Sequence, residues 1–330
     1  MLGRGVVLAC CFTVPLAHGA AVALADDNDL VLGRLTNRMD DGTGTTRIVP
    51  QNAEFRSLAS QLGVVLAPHL LTPADTLGFG GFQLTLDYAT TTIDGDASYW
   101  RAREAESDPG GTVGHAPGML RTLGFFARKG MWFPIPSFEV GAGAVHLVDS
   151  RIWTGQFYAK LALVEGYHDL PLPSVAVRGA VSRMMSQREL DLTVPSFDIT
   201  ISKHFGIGGT WRLDPYAGWN LLMIIPRSEV IDPTPHIDPL APGNEDDSTQ
   251  SFVFKDQDLI LRHRFIVGAK FQYYILQLTV EASFALAGTS KDDRSGTSDV
   301  CMPQSTTTTC DAADTAAAQR TLSVSAGVDF

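Results

Sequence analysis

The sequence predicts an all-β fold, an antiparallel up-and-down transmembrane β-barrel of about ten strands with a short N-terminal helical plug. Three observations predict it: a hydrophobic period of two over most of the chain, connections that alternate between tight and long, and an acidity confined to three of the long ones. Successive side chains of a strand point to opposite faces, so a period of two sorts residues into two environments.

Residues 1–25 read as a signal peptide. Arg4 supplies the positive start, 6–17 are apolar, and Ala23-Leu24-Ala25 offers a small-x-small cleavage site before Asp26-Asp27. The apolar run is too short for a membrane-spanning helix, and no later stretch reaches 18 apolar residues. Val7-Leu8-Ala9-Cys10 imitates a lipoprotein box, but Cys10 comes too early for one. Residues 26–53 are polar and without period, and read as a flexible lead. In 53–68, Phe55, Leu58, Leu62 and Val65 recur at helical spacing, which predicts a short amphipathic helix ended by Pro68 and Pro73. The expected division is therefore a signal over 1–25, a lead and plug segment over 26–77, and a barrel over 78–330.

From Gly78 the period is two. Phe82, Leu84, Leu86 and Tyr88 oppose Gln83, Thr85 and Asp87; Phe138 and Val140 oppose Glu139. Trp153, Phe157 and Leu161 oppose Gln156 and Lys160; Val175, Val177 and Val181 oppose Arg178 and Ser182. Phe197, Ile199 and Ile201 oppose Asp198 and Thr200. Arg262, Arg264 and Lys270 share a face, as do Gln277, Thr279 and Glu281. With 119–132, 213–225 and the last ten residues, TLSVSAGVDF, the count is about ten. It becomes twelve if 54–66 and 74–80 add strands.

The connections 94–118, around Ser150, 187–190, 227–256 and 289–318 are long or variable, and the intervening four are tight. The chain's net charge is −11, and 94–118, 227–258 and 289–318 alone carry −3, −6 and −3. The acidity thus belongs to one end of the molecule. A soluble sandwich also alternates, so the choice between it and a barrel in lipid rests on other features. Trp132, Phe133, Tyr167, Phe205, Trp211, Tyr273, Tyr274 and Phe330 gather at the tight-turn end, as at a membrane–water interface. A last strand running to its final residue suits closure against the first, since an open edge in hydrocarbon leaves backbone groups unsatisfied.

Signal, alternating strands, loop asymmetry and terminal Phe330 together resemble the outer-membrane β-barrel proteins of Gram-negative bacteria. The resemblance implies tight turns toward the periplasm, acidic loops outside, and outer-membrane lipid and lipopolysaccharide as surroundings. In that class a carboxy-terminal strand ending in Phe is read by the barrel-assembly machinery, and Phe330 matches that position. PADTLGFGGFQ resembles the segment before strand one in some transporter barrels, where it plugs the lumen.

No residues are assigned as catalytic. His146 with Ser150 is the best candidate for a lipid-cleaving pair near the outer rim, against the plainer reading of a rim histidine beside a turn serine. His204 stands near Ser202 and His236 near Asp238. Asp94-Gly-Asp96 and Glu245-Asp246-Asp247 lack a calcium-loop register, so no metal is assigned. No cofactor and no nucleic-acid partner are expected. Cys301 and Cys310 are expected to pair as a disulfide in an oxidising compartment. The expected lumen-lining charges are Asp87, Glu139, Lys160, Arg178, Asp198, Arg262, Arg264 and Glu281; they either neutralise one another or form a polar constriction. Ten strands lie near the size filled by its own side chains. The expected function is a narrow passive conduit or binding barrel for small polar or amphipathic molecules. The alternatives are a structural or surface-interaction barrel and, less favoured, a lipid-modifying hydrolase.

Overall fold

The computed structural model describes residues 26–40, 46–106, 117–132, 137–165, 172–232, 251–292 and 312–330. Residues 1–25, expected to be a signal peptide, Cys301 with Cys310, Phe133, Tyr167, His236 and Glu245–Asp247 lie outside them.

Ten antiparallel strands form the barrel: β1 (Phe82–Thr92), β2 (Met119–Met131), β3 (Phe138–Leu147), β4 (Trp153–Val164), β5 (Ser174–Met185), β6 (Leu190–Ser202), β7 (Trp211–Ser228), β8 (Ile260–Tyr273), β9 (Leu276–Ala285) and β10 (Gln319–Asp329). Each pairs with its chain neighbours, and β10 pairs with β1 from Thr321 opposite Thr91 to Asp329 opposite Gln83. The sheet therefore closes with no free edge, as hydrocarbon requires. Phe330 and Phe82 exchange both backbone hydrogen bonds at the seam, at 2.8 and 3.0 Å. The alternative of twelve strands does not hold, because 52–65 is a helix and 66–81 carries no strand.

The apolar face of the alternation points outward. Leu86, Phe125, Phe157, Phe265 and Leu322 are half exposed or more, while Asp87, Glu139, Lys160, Arg178 and Asp198 are buried inside. A soluble sandwich would have the reverse. Rings gather at both rims of this apolar band. At the tight-turn end Trp211 packs on Tyr273 at 4.5 Å and Tyr273 on Tyr274 at 4.7 Å. At the long-loop end His146 stacks on Trp153 at 4.5 Å, and Trp219 stacks on His263 at 5.8 Å nearer the middle of the wall. The His146–Trp153 pair was not anticipated, because one of its two rings is a histidine.

The helix α1 (Asn52–Val65) sits in the long-loop mouth. There the inward face of the wall turns apolar: Leu120, Leu147, Met184, Leu190, Leu192, Val194, Leu222, Ile224 and Ile260 join one core with Phe55, Leu58, Leu62, Val64 and Val65. Burying these five helix side chains is worth about 1.5–3 kcal/mol each. The helix differs from the expected amphipathic one, for eleven of its fourteen residues are buried, polar ones included. Its polar side meets loops instead of water. Arg56 donates to the Asp258 carbonyl (2.9 Å) and Ser290 Oγ (2.9 Å), and Gln61 Oε1 accepts from Trp100 Nε1 (2.8 Å). Gly63 is placed where a Cβ would run into Ile224.

The expectation of a flexible lead also fails over residues 30–35. Leu30, Leu32 and Leu35 are at most 5% exposed and belong to the same core. Glu189 accepts from the Leu32 N–H at 2.7 Å and Gln187 donates to the Leu30 carbonyl at 2.9 Å. Three leucines among polar neighbours suffice once the loops supply the other half of the core.

This cap contains two carboxyls that burial holds above their usual range. The Leu32 N–H offsets this only partly at Glu189; at Asp314 the Ser60 hydroxyl (2.6 Å), the Ala316 N–H and Arg262 do so. A carboxyl with a raised folded pKa favours the folded state when protonated. That contribution is complete below the ordinary carboxylate range near about pH 4 and is lost as pH rises through the raised values. Hydrogen exchange of the α1 amides is therefore expected to quicken from pH 4 to pH 7 beyond its intrinsic pH dependence. Asp314→Asn should flatten that excess, and an unchanged profile would contradict the assignment.

Candidate functional site

Below the cap, residues 66–77 leave α1 and thread down the lumen to β1, and the wall around them is polar. The alternation explains the lining: inward positions of β3 to β9 carry Glu139, Lys160, Arg178, Asp198, Arg264 and Glu281, all within 2% exposure. Gly141 and Gly268 face inward beneath the rings of Tyr158 and Tyr216, which would collide with any Cβ there. The two rings thereby lie along the wall, and their hydroxyls reach Glu139 and Glu281.

The charges hold the threading backbone. Lys160 Nζ is 3.1 Å from Glu139 Oε1 and donates to the carbonyls of Pro73 (3.2 Å) and Asp75 (2.8 Å). Glu139 accepts from the Tyr158 hydroxyl (2.7 Å) and the Leu77 N–H (3.0 Å). Arg178 Nε pairs with Asp198 at 2.7 Å, and its Nη1 donates to the His69 carbonyl at 2.8 Å. Glu281 accepts from the Leu71 N–H (2.7 Å) and the Tyr216 hydroxyl (2.8 Å), and Arg264 donates to the Pro68 carbonyl. Ser202 Oγ accepts from the Ala74 N–H at 3.0 Å.

Two of the eight expected lumen charges sit differently. Arg262 faces inward but reaches the cap, donating to Ser60 Oγ (2.7 Å) and the Leu286 and Ala317 carbonyls. Asp87 is 3.9 Å from Arg128, and neither of its oxygens has a hydrogen-bond partner among the described residues. Arg128, in phase with Thr122 on β2, completes the lining and donates to Gln83 Oε1 at 2.6 Å. It was absent from the expected lining, although a period of two through this strand puts it on the inward face. At the turn end Arg212 bridges Asp214 (2.7 Å) and Asp75 (3.3 Å), His204 meets Asp214 at 2.6 Å, and Lys270 meets Asp329 at 2.9 Å. A polar pocket of about 260 Å³ lies between these groups and residues Thr72–Leu77.

Several buried wall atoms lack a protein partner among the described residues: Arg264 Nε and Nη1, Arg178 Nη2, Asn220 Oδ1 and Ser325 Oγ. Buried polar atoms need a partner, so the seam between plug and wall is a place for water.

His146 and Ser150 are not joined. His146 Nδ1 faces the Ile152 carbonyl at 3.2 Å on the outer surface, and Ser150 Oγ donates to the Leu147 carbonyl at 2.8 Å as a turn serine. His204 lies with Asp214 and not with Ser202, whose hydroxyl holds the plug. No cluster of three metal-ligating side chains occurs among the described residues.

No protein-family model matches the chain, and no curated protein matches its sequence. Among solved structures it is similar to Ail, the attachment invasion locus protein of Yersinia pestis, with 11% identity, 76% of this chain and 99% of that chain covered, and a TM-score of 0.25. The Neisserial surface protein NspA matches with 10% identity, coverages of 76% and 98%, and a TM-score of 0.25. OmpT, an outer membrane protein of Vibrio cholerae, matches with 8% identity, coverages of 64% and 56%, and the same TM-score. The class rests on the barrel itself: a closed ten-stranded sheet, apolar outside and charged inside, is an outer-membrane β-barrel protein.

Proposed function

We propose that this protein is a plugged conduit or binding barrel for small amphipathic molecules, closed at rest by its own N-terminal segment, with the long loops at the cell surface. One observation carries the reading: the interior wall changes from apolar to charged with depth, and a separate segment covers it. A barrel this narrow can be filled by its wall side chains alone. Here the filler is matched layer by layer, an apolar helix above and a bare backbone below. Displacing it would leave an apolar entrance leading to a polar, hydrated passage.

A second reading, a sealed barrel whose loops meet other surfaces, is favoured by the deep burial of α1. Planar-bilayer recording separates the two. The intact protein is expected to be silent, and a chain lacking residues 26–77 should show small, discrete conductance steps. Heat-modifiable gel mobility confirms that the shortened chain still forms a barrel. A folded deletion variant without conductance would overturn the conduit. Should the deletion fail to fold, Phe55→Ala, which leaves the chain intact, takes its place with the same expected outcomes.

A further inference from the structure

The outer wall carries an apolar groove of about 580 Å³ near the long-loop end, lined by Phe265, Val267, Ala282, Phe284, Leu322 and Met119 among others. Register explains it. Ala282 on β9 stands opposite Val267 on β8 and Leu322 on β10, so one small side chain forms a floor between large ones. The groove opens sideways, in the band that faces lipid.

Two arginines stand beside it, Arg320 at its loop-side rim and Arg121 in the cross-strand row of its floor. Arg320 is the outward residue before Leu322 on β10, and Arg121 on β2 lies opposite Thr90, which lies opposite Leu322. Their strands are two spacings apart, about 10 Å. Both are exposed, and neither guanidinium has a hydrogen bond or ion pair among the described residues. The other outward arginines of this rim are provided for: Arg183 pairs with Asp191 at 3.0 Å, and Arg227 lies opposite that same carboxylate. No acid lines the groove. Two cations without a partner among the described residues, beside an apolar slot at the membrane interface, fit one ligand chemistry, a phosphate over an acyl chain. Arginine suits it because the guanidinium fork matches a phosphate bidentately.

We propose that Arg121, Arg320 and the Ala282 groove form a binding site for a phosphorylated glycolipid of the surrounding leaflet. The phosphate is held between the two guanidiniums and an acyl chain lies over Ala282. The site is independent of the lumen, so a silent barrel in the conductance test leaves it untouched.

Native mass spectrometry of the refolded full-length barrel in a zwitterionic detergent tests it, with a bis-phosphorylated, acylated glucosamine disaccharide as probe. The expected result is a bound adduct that weakens at least tenfold in the Arg121→Gln, Arg320→Gln double variant. Arg183→Gln should leave it unchanged. Ala282→Phe, which fills the groove and keeps both charges, should also weaken it. Arg121→Lys with Arg320→Lys should retain part of the binding and controls for folding. Equal binding of the dephosphorylated probe, or undiminished binding to the double glutamine variant, would overturn the site.

Discussion

Asp198→Ala is expected to destabilise the barrel by about 3–5 kcal/mol, the cost of leaving one partner of a buried ion pair without the other. Asp198 and Arg178 are each at most 2% exposed at the side chain, and they meet at 2.7 Å. Asn220 Nδ2 donates to the same carboxylate, so the substitution strands two donors at once. The effect should also reach the plug, because Arg178 holds the His69 carbonyl while its guanidinium lies 5.2 Å from the Tyr158 ring centre. Urea unfolding in lipid bilayers measures the loss. Replacing both partners by apolar residues, Asp198→Leu with Arg178→Met, is expected to recover much of it, since a missing pair costs less than a broken one. An unchanged urea midpoint for Asp198→Ala would show that the pair is solvated.

Phe55→Ala should have a comparable effect on the cap and little on the barrel. The Phe55 ring is 1% exposed and stacks on Phe254 at 4.4 Å, with the planes 8° apart. Removing a buried Phe costs about 3–5 kcal/mol. That loss corresponds to roughly 10²- to 5 × 10³-fold faster opening of α1 by hydrogen exchange. The barrel strands, whose hydrogen bonds do not pass through the cap, are expected to keep their protection. Uniform loss across strands and helix would mean that cap and barrel unfold as one unit. In the bilayer the same variant raises conductance only if displacement of α1 opens the lumen, which joins this experiment to the proposed function.

The sequence by itself determined the class of fold and the two faces of most strands. A period of two states which residues share a face, and charges such as Lys160 and Arg178 opposite Phe157 and Val177 mark which face cannot meet lipid. TLSVSAGVDF was legible for the same reason, and it is the strand that closes on β1.

Alternation misleads where the wall reverses its polarity, with Asp191 and Thr193 outward and leucines inward. Leu190, Leu192 and Val194 point inward on β6, as Ser196 and Asp198 do further down, and nothing local announces the change from cap to lumen. The partners of the lumen charges were equally hidden. They are mainly backbone groups of residues 68–77, and a carbonyl or an N–H has no signature in the side-chain alphabet. Only the closed tertiary structure decided that Arg178 and Lys160 hold a threaded segment in place and do not simply face each other across an empty barrel. The physical reason is that a buried charge must find partners wherever the fold brings them, and here the fold brings them from a stretch about a hundred residues away in sequence.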